Sequence, residues 1–156
     1  SNLSRFELRN IKLELLNKIY SIPISLILAQ SIIESGWGAS RFAQQGNALF
    51  GQWTWKNDDG IKPKENLDAN FSVKNFKNLL ESVNSYVLNL NTHPAYKELR
   101  NFRISQYNAG KSVTGNDMAN FLEKYAEIGF KYITKVKNMI KKNQLSKFEN
   151  STLAIV

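Results

Sequence analysis

The segment 22–35 constrains the fold of this chain more than any other. On a helical wheel Ile24, Leu28 and Ile32 cover one side, and Leu26, Ala29 and Ile33 cover the other. Only Gln30, Ser31 and Glu34 form a narrow polar strip. A helix that is apolar nearly all round has to be buried. The apolar run is broken by Pro23, Ser25, Gln30 and Ser31 and is shorter than the ~18 residues that span a bilayer. The covering surface must therefore come from the rest of the chain. At 156 residues the chain suits one compact domain. A domain of that size buries roughly 70% of the surface its unfolded form exposes.

The remaining pattern supplies elements to pack around this helix. Ser4-Arg5-Phe6-Glu7 reads as a capping box, and Leu8, Ile11, Leu15 and Ile19 follow at helical spacing, which predicts a first helix to about Tyr20. Pro23 suits the first turn of the second helix, and Gly36 and Gly38 suit its end. A third helix is expected from near Asn75, with Phe76, Leu79, Leu80, Val83, Tyr86, Val87 and Leu90 as its stripe. Pro94 opens a short helix with Tyr96, Leu99 and Phe102. Asn116 or Asp117 caps another that carries Phe121, Leu122 and Tyr125. The last carries Phe130, Ile133, Val136 and Ile140 and ends in lysines, where cations offset the helix dipole. Between the second and third helices, residues 49–55 are rich in large apolar and β-forming types. Asn57-Asp58-Asp59-Gly60 is a turn signal, and a second strand is expected through 66–73. The layout is α+β, mostly helical, with one small β-hairpin. Residues 1–143 read as a single domain, and 144–156, without a clear period, as a loosely held tail.

Composition excludes several chemistries. With no cysteine there is no disulfide scaffold, thiolate metal site or cysteine nucleophile. With His93 as the one histidine, a histidine metal cluster is not expected, and no cofactor is implied. The net charge of +8 favours an anionic partner: nucleic acid, an anionic membrane surface or an acidic wall polymer. No nucleic-acid-binding motif is present. The chain begins at Ser1 rather than Met, as a processed or truncated product would.

Glu34 is the residue that points to chemistry. It stands at the end of the apolar helix, where burial of an unpaired charge is costly. Desolvation and the negative end of the helix dipole both favour its protonated form. A carboxylic acid that keeps its proton near neutral pH is what a general acid requires. Trp37 follows between two glycines, and Phe50, Trp53 and Trp55 offer flat faces on which sugar rings stack.

The run Leu28-Ala29-Gln30-Ser31-Ile32-Ile33-Glu34-Ser35-Gly36-Trp37-Gly38-Ala39-Ser40 resembles the signature of the bacterial glucosaminidases, glycoside hydrolase family 73. Asn47-Ala48-Leu49-Phe50-Gly51 resembles that family's Asn-Asn-Leu-Phe-Gly motif, with Ala48 in place of the second Asn. Phe50-Gly51-Gln52-Trp53, Ser82-Val83-Asn84-Ser85-Tyr86, Asn89-Leu90-Asn91, Pro94-Ala95-Tyr96 and Leu122-Glu123-Lys124-Tyr125 are similar to the Bax-type subgroup. The resemblance implies a lysozyme-like fold with a substrate cleft between a helical lobe and a β-lobe. It implies cleavage of the β-1,4 bond after N-acetylglucosamine in peptidoglycan. On this resemblance Glu34 is the catalytic acid, and Tyr125 supports the substrate's N-acetyl group or the reacting centre. Substrate contacts are expected from Trp37, Phe50, Gln30, Asn47 and Trp53.

Glycosidases usually pair the acid with a second carboxylate. Many family members place a Glu in the hairpin, where this chain has Ser72. Asp58, Asp59, Glu65 and Asp68 are the candidates near it, and Asp58 and Asp59 are better explained as turn formers. Of the four, Asp68 is the preferred one. The alternative is attack by the substrate's own N-acetyl oxygen, with Tyr125 steadying that group. Two other readings stay open. A lytic transglycosylase also uses a single Glu, and a decayed domain would bind peptidoglycan without cutting it. The expected setting is an exported monomer in the periplasm or cell envelope, associated with the wall or the membrane periphery.

Overall fold

The computed structural model describes residues 4–55, 60–63 and 70–151. Among them the order is α1 (Arg5–Ile19), α2 (Ile24–Ser35), α3 (Arg41–Gly46), β1 (Trp53–Thr54), β2 (Gly60–Ile61), β3 (Ser72–Lys74), α4 (Leu79–Thr92), α5 (Lys97–Asn108), α6 (Gly115–Met118) and α7 (Phe130–Lys142). Short 3-10 turns lie at Pro94–Tyr96, Ala119–Phe121, Glu123–Tyr125 and Leu145–Phe148. The result is the expected mostly helical α+β fold. No helix among the described residues is long and apolar enough to cross a membrane.

The capping box of α1 is present: the Ser4 hydroxyl accepts from the Glu7 N–H, and the Glu7 carboxylate accepts from the Ser4 N–H at 2.7 Å. Its apolar stripe is another matter. Leu8, Ile11, Leu15 and Ile19 all stay exposed, and α1 leans on α4 and α5. Tyr20, just beyond the helix, stacks on Tyr107 with ring centroids 4.6 Å apart.

The second helix is central, as its composition requires. Leu26 and Ala29 are fully buried in a core shared with Tyr86 and Leu90 of α4, Leu99 of α5, Met118 of α6 and Tyr132, Val136 and Ile140 of α7. Pro23 is the residue before α2 rather than in its first turn, and α2 has no local side-chain cap. Its first turn is held instead by Glu149. That carboxylate accepts from the Ser25 hydroxyl and, at 3.0 Å, from the Gly115 N–H that opens α6. The tail expected from Asn143 is therefore corrected over its described part. Leu145 is buried in the core, and Glu149 ties residues 144–151 to two helix N-termini. Gly115 sits so close to α2 that a Cβ there would fall on the Ser25 hydroxyl and 2.6 Å from the Leu26 nitrogen.

Several boundaries also move. Asn78 caps α4, so the helix starts at Leu79, and Asn75 and Phe76 precede it in extended chain. Its buried face is Ser82, Tyr86, Leu90 and Asn91, while Leu79 and Leu80 are exposed. Thr114, not Asn116 or Asp117, caps α6, and Asp117 completes a second capping box from inside it. The helix expected to carry Tyr125 breaks into 3-10 turns, so Tyr125 stands on a turn. The sheet is a three-stranded antiparallel one in the order β1-β3-β2, with Trp53 opposite Val73 and Gly60 opposite Lys74. The expected hairpin is thus replaced by two outer strands that each pair with β3, and Gly60 lies in β2. Asp58, Asp59, Glu65 and Asp68 lie outside the described residues.

Candidate active site

Glu34 occupies the last turn of α2, and the chain beyond it is locked by local bonds. Gly36 takes the left-handed conformation at φ 57°, which glycine adopts without the steric cost of a Cβ. The Ser35 hydroxyl donates to the Ser31 carbonyl at 2.6 Å and accepts from the Gly38 N–H at 2.7 Å. Ser40 then caps α3. These bonds turn the chain away directly after Glu34, so its half-buried side chain opens into a cleft of about 610 Å³ between the helices and the small sheet. That volume is typical of a small-molecule site.

Aromatic rings form much of the cleft. Phe50 lines it and stacks on buried Tyr86 at 4.0 Å. Trp53 and Trp55 line it from the sheet side, and Trp53 stacks on Phe71 at 4.5 Å. Tyr125 and Tyr96 close the helical side. Tyr125 lies face to face with Tyr132, ring centroids 5.2 Å apart.

One polar chain runs behind the cleft. Tyr86 Oη donates to Gln30 Oε1 at 2.5 Å. Gln30 Nε2 donates to Tyr132 Oη at 3.0 Å. Tyr132 Oη donates to Glu34 Oε1 at 2.6 Å. Burial first, and then neighbouring tyrosines and the Glu34 charge, push the phenols of Tyr86, Tyr125 and Tyr132 up from their ordinary value. That shift favours the neutral hydroxyl, the form that donates.

The sequence-derived residues divide clearly. Glu34, Tyr125, Phe50 and Trp53 come together around the cleft. Gln30 does not: it is fully buried, both ends of its amide are occupied by tyrosines, and the expectation that it touches substrate is corrected. Asn47, at φ 51°, donates to the Phe76 carbonyl at 2.9 Å and ties the end of α3 to the chain after β3 rather than lining the cleft. Trp37 is 66% exposed on the turn after α2 and is not part of the lining. Asp68 lies outside the described residues.

Sequence reasoning assigned no role to Gln52, Asn89, His93, Tyr96 or Glu127, which also line the cleft. Asn89, Tyr96 and Gln52 fall within the quoted motifs, and that was the one signal available for them. The Gln52 Oε1 is buried and has no hydrogen-bond partner among the described residues. Tyr132 gave no signal, because it sits inside the apolar period of α7. No group of three or more His, Cys, Asp or Glu among the described residues is placed to hold a metal ion.

Comparison with known proteins bears on the same region. Residues 12–145 match a family described as glucosaminidase, mannosyl-glycoprotein endo-β-N-acetylglucosaminidase. Protein bax of Escherichia coli (strain K12) is 35% identical over 130 residues, 83% of this chain and 46% of that protein. The chain thus spans about half the length of this relative. The crystal structure of the catalytic domain of the autolysin Auto from Listeria monocytogenes superposes with a TM-score of 0.60 and 21% identity, covering 95% of this chain and 90% of that one. At that identity the likeness is one of fold.

Proposed function

The chain belongs to the glucosaminidase family, glycoside hydrolase family 73, and from that premise we propose that it hydrolyses the β-1,4 bond after N-acetylglucosamine in peptidoglycan, with Glu34 as general acid. The observation that carries this reading is the Glu34 carboxyl, open to an aromatic-walled cleft and held from behind by Tyr132. The family's description as an endo-β-N-acetylglucosaminidase supports cleavage at the anomeric carbon of N-acetylglucosamine. The autolysin whose catalytic domain shares the fold supports a wall polymer as substrate.

In this mechanism Glu34 delivers its proton to the glycosidic oxygen as the bond to the anomeric carbon breaks and that carbon gains oxocarbenium character. The exposed Trp53 and Trp55 take the C–H faces of the sugar rings, and Phe50, buried against Tyr86, backs the cleft. Tyr125, a neutral phenol beside Glu34, steadies the N-acetyl group. A second carboxylate, for which Asp68 is the sequence candidate, or the acetamido oxygen itself stabilises the developing positive charge, and water then takes the anomeric carbon and returns a proton to Glu34. The net charge of +8 draws the protein to the anionic wall, where it acts as an exported monomer of the cell envelope.

Mass spectrometry of purified peptidoglycan digested with the wild type and with Glu34→Gln tests this. Reducing N-acetylglucosamine ends are expected from the wild type, with turnover down about a thousandfold in the variant at unchanged fold. Anhydro-muramic ends would make the protein a transglycosylase. Co-sedimentation with the polymer and no released fragments would make it a binding domain. Retained turnover in Glu34→Gln would remove Glu34 from its role.

A further inference from the structure

We propose that Tyr132, oriented by Gln30 and Tyr86, is a positioning residue that reserves one oxygen of Glu34 and directs the acid's proton to the other. The inference rests on Glu34 as the general acid.

A tyrosine hydroxyl has one proton to give and can also accept. The Tyr132 oxygen accepts from Gln30 Nε2 at 3.0 Å, so the hydroxyl's own proton is free to point at Glu34 Oε1, 2.6 Å away. The Gln30 amide is oriented in turn, because its carbonyl oxygen accepts from Tyr86. Each bond polarises the next, and the polarity of the whole chain runs from the core toward Glu34. With Oε1 occupied as an acceptor, a proton placed there would face the proton of Tyr132. Protonation therefore falls on Oε2, which accepts no hydrogen bond from the described residues and belongs to a side chain that lines the cleft. The carboxyl is also held in one rotamer, and misplacement of a reacting group by about 1 Å can cost a hundredfold in rate.

The chain does this without touching substrate. Tyr86 and Gln30 are fully buried, Tyr132 is 2% exposed, and none of the three lines the cleft. The groups that share the cleft with Glu34 and can titrate or carry charge are Tyr96, Tyr125, His93 and Glu127. The Nδ1 of His93 accepts from the Ala95 N–H at 3.2 Å.

The test uses Tyr132→Phe, which removes the hydroxyl and keeps the ring stacked on Tyr125, together with Tyr86→Phe and Glu34→Gln. Expected for Tyr132→Phe is a kcat about ten- to a hundredfold below wild type with KM little changed. The alkaline limb of its kcat profile moves, because the acid has lost the hydrogen bond on Oε1. Tyr86→Phe, two bonds from the acid, shifts both readouts in the same direction and by less. A merely structural role would lower thermal stability and leave the position of the pH limb in place. If Tyr132→Phe does not fold, Tyr86→Phe carries the test by itself. An unmoved pH limb and wild-type kcat in the folded variants, with Glu34→Gln inactive, would overturn the positioning role and leave the acid standing. An active Glu34→Gln would remove both.

Discussion

In α1 the first N–H groups are met by residues beside them, Ser4 and Glu7, in a box that forms at the surface. In α2 the Ser25 N–H, at 3.5 Å, and the Ser25 hydroxyl both donate to Glu149, 124 positions along the chain. The two helices also treat their apolar residues oppositely. Leu8, Ile11, Leu15 and Ile19 repeat at helical spacing and remain in solvent, whereas Leu26 and Ala29 are fully covered. The difference teaches that local regularity and structural weight are separate properties. A helix completed by its own neighbours can lie on the outside of the molecule. The helix that carries the candidate acid is completed by elements drawn from the other end of the chain.

That contrast predicts a graded set of effects. Leu26→Ala opens the core on which α2 depends and should cost about 3 kcal/mol, a fall in Tm of roughly 9 °C in a melt followed at any wavelength. Glu149→Ala leaves the Ser25 hydroxyl and the Gly115 N–H without their partner. It should cost about 2 kcal/mol and lower the Tm of the whole molecule, although the residue lies beyond the last long helix. An unchanged Tm for Glu149→Ala would mean that α2 does not need its distant cap. Ser4→Ala should cost about 1 kcal/mol and should speed amide exchange within α1 while the core amides are unaffected. A global loss equal to that of Leu26→Ala would end the distinction between the two helices.

Acid should act on the same weak point of α1. The Ser4 N–H, and then its hydroxyl, hold the Glu7 carboxyl below its ordinary value of 4.5. The folded form therefore binds that proton less readily than the unfolded chain does. The stabilisation is complete at pH above 4.5 and is lost as pH falls through the lower folded value. Amide protection in α1 should fall over that range, and less steeply in Ser4→Ala, which keeps the backbone N–H bond to Glu7 and loses only the hydroxyl's.

The clearest legibility lay where a bond spans three or four residues. The Ser4 box, the stop of α2 at Gly36 and the later parts of two stripes, Tyr86 and Leu90 in α4 and Ile133, Val136 and Ile140 in α7, were readable in that way, whereas Leu79, Leu80 and Phe130 at the starts of those stripes are exposed. Glu34 was readable because a carboxylate at the end of an apolar helix is rare and because the motif around it is specific. The boundary errors have local causes as well. Asn78 outcompetes Asn75 as a cap, and Thr114 with Asp117 makes a better box than Asn116 could.

What the sequence determined by itself is the longer helices, which of them must be buried, and which carboxyl ends it; the short α3 and the 3-10 turn that carries Tyr125 lay outside that reading. Only the tertiary structure decided the company that carboxyl keeps. Tyr132 reaches Glu34 from 98 positions away and Gln30 from 102, and Glu149 reaches Ser25 from 124. It also decided that β3 lies between β1 and β2, and that Gln30 faces the core rather than the cleft. Helical periodicity marks which side of a helix is buried, but it carries no information about which hydroxyl will be waiting there. Bonds of that range depend on how whole elements pack, and packing sums over many contacts that no short window of sequence contains.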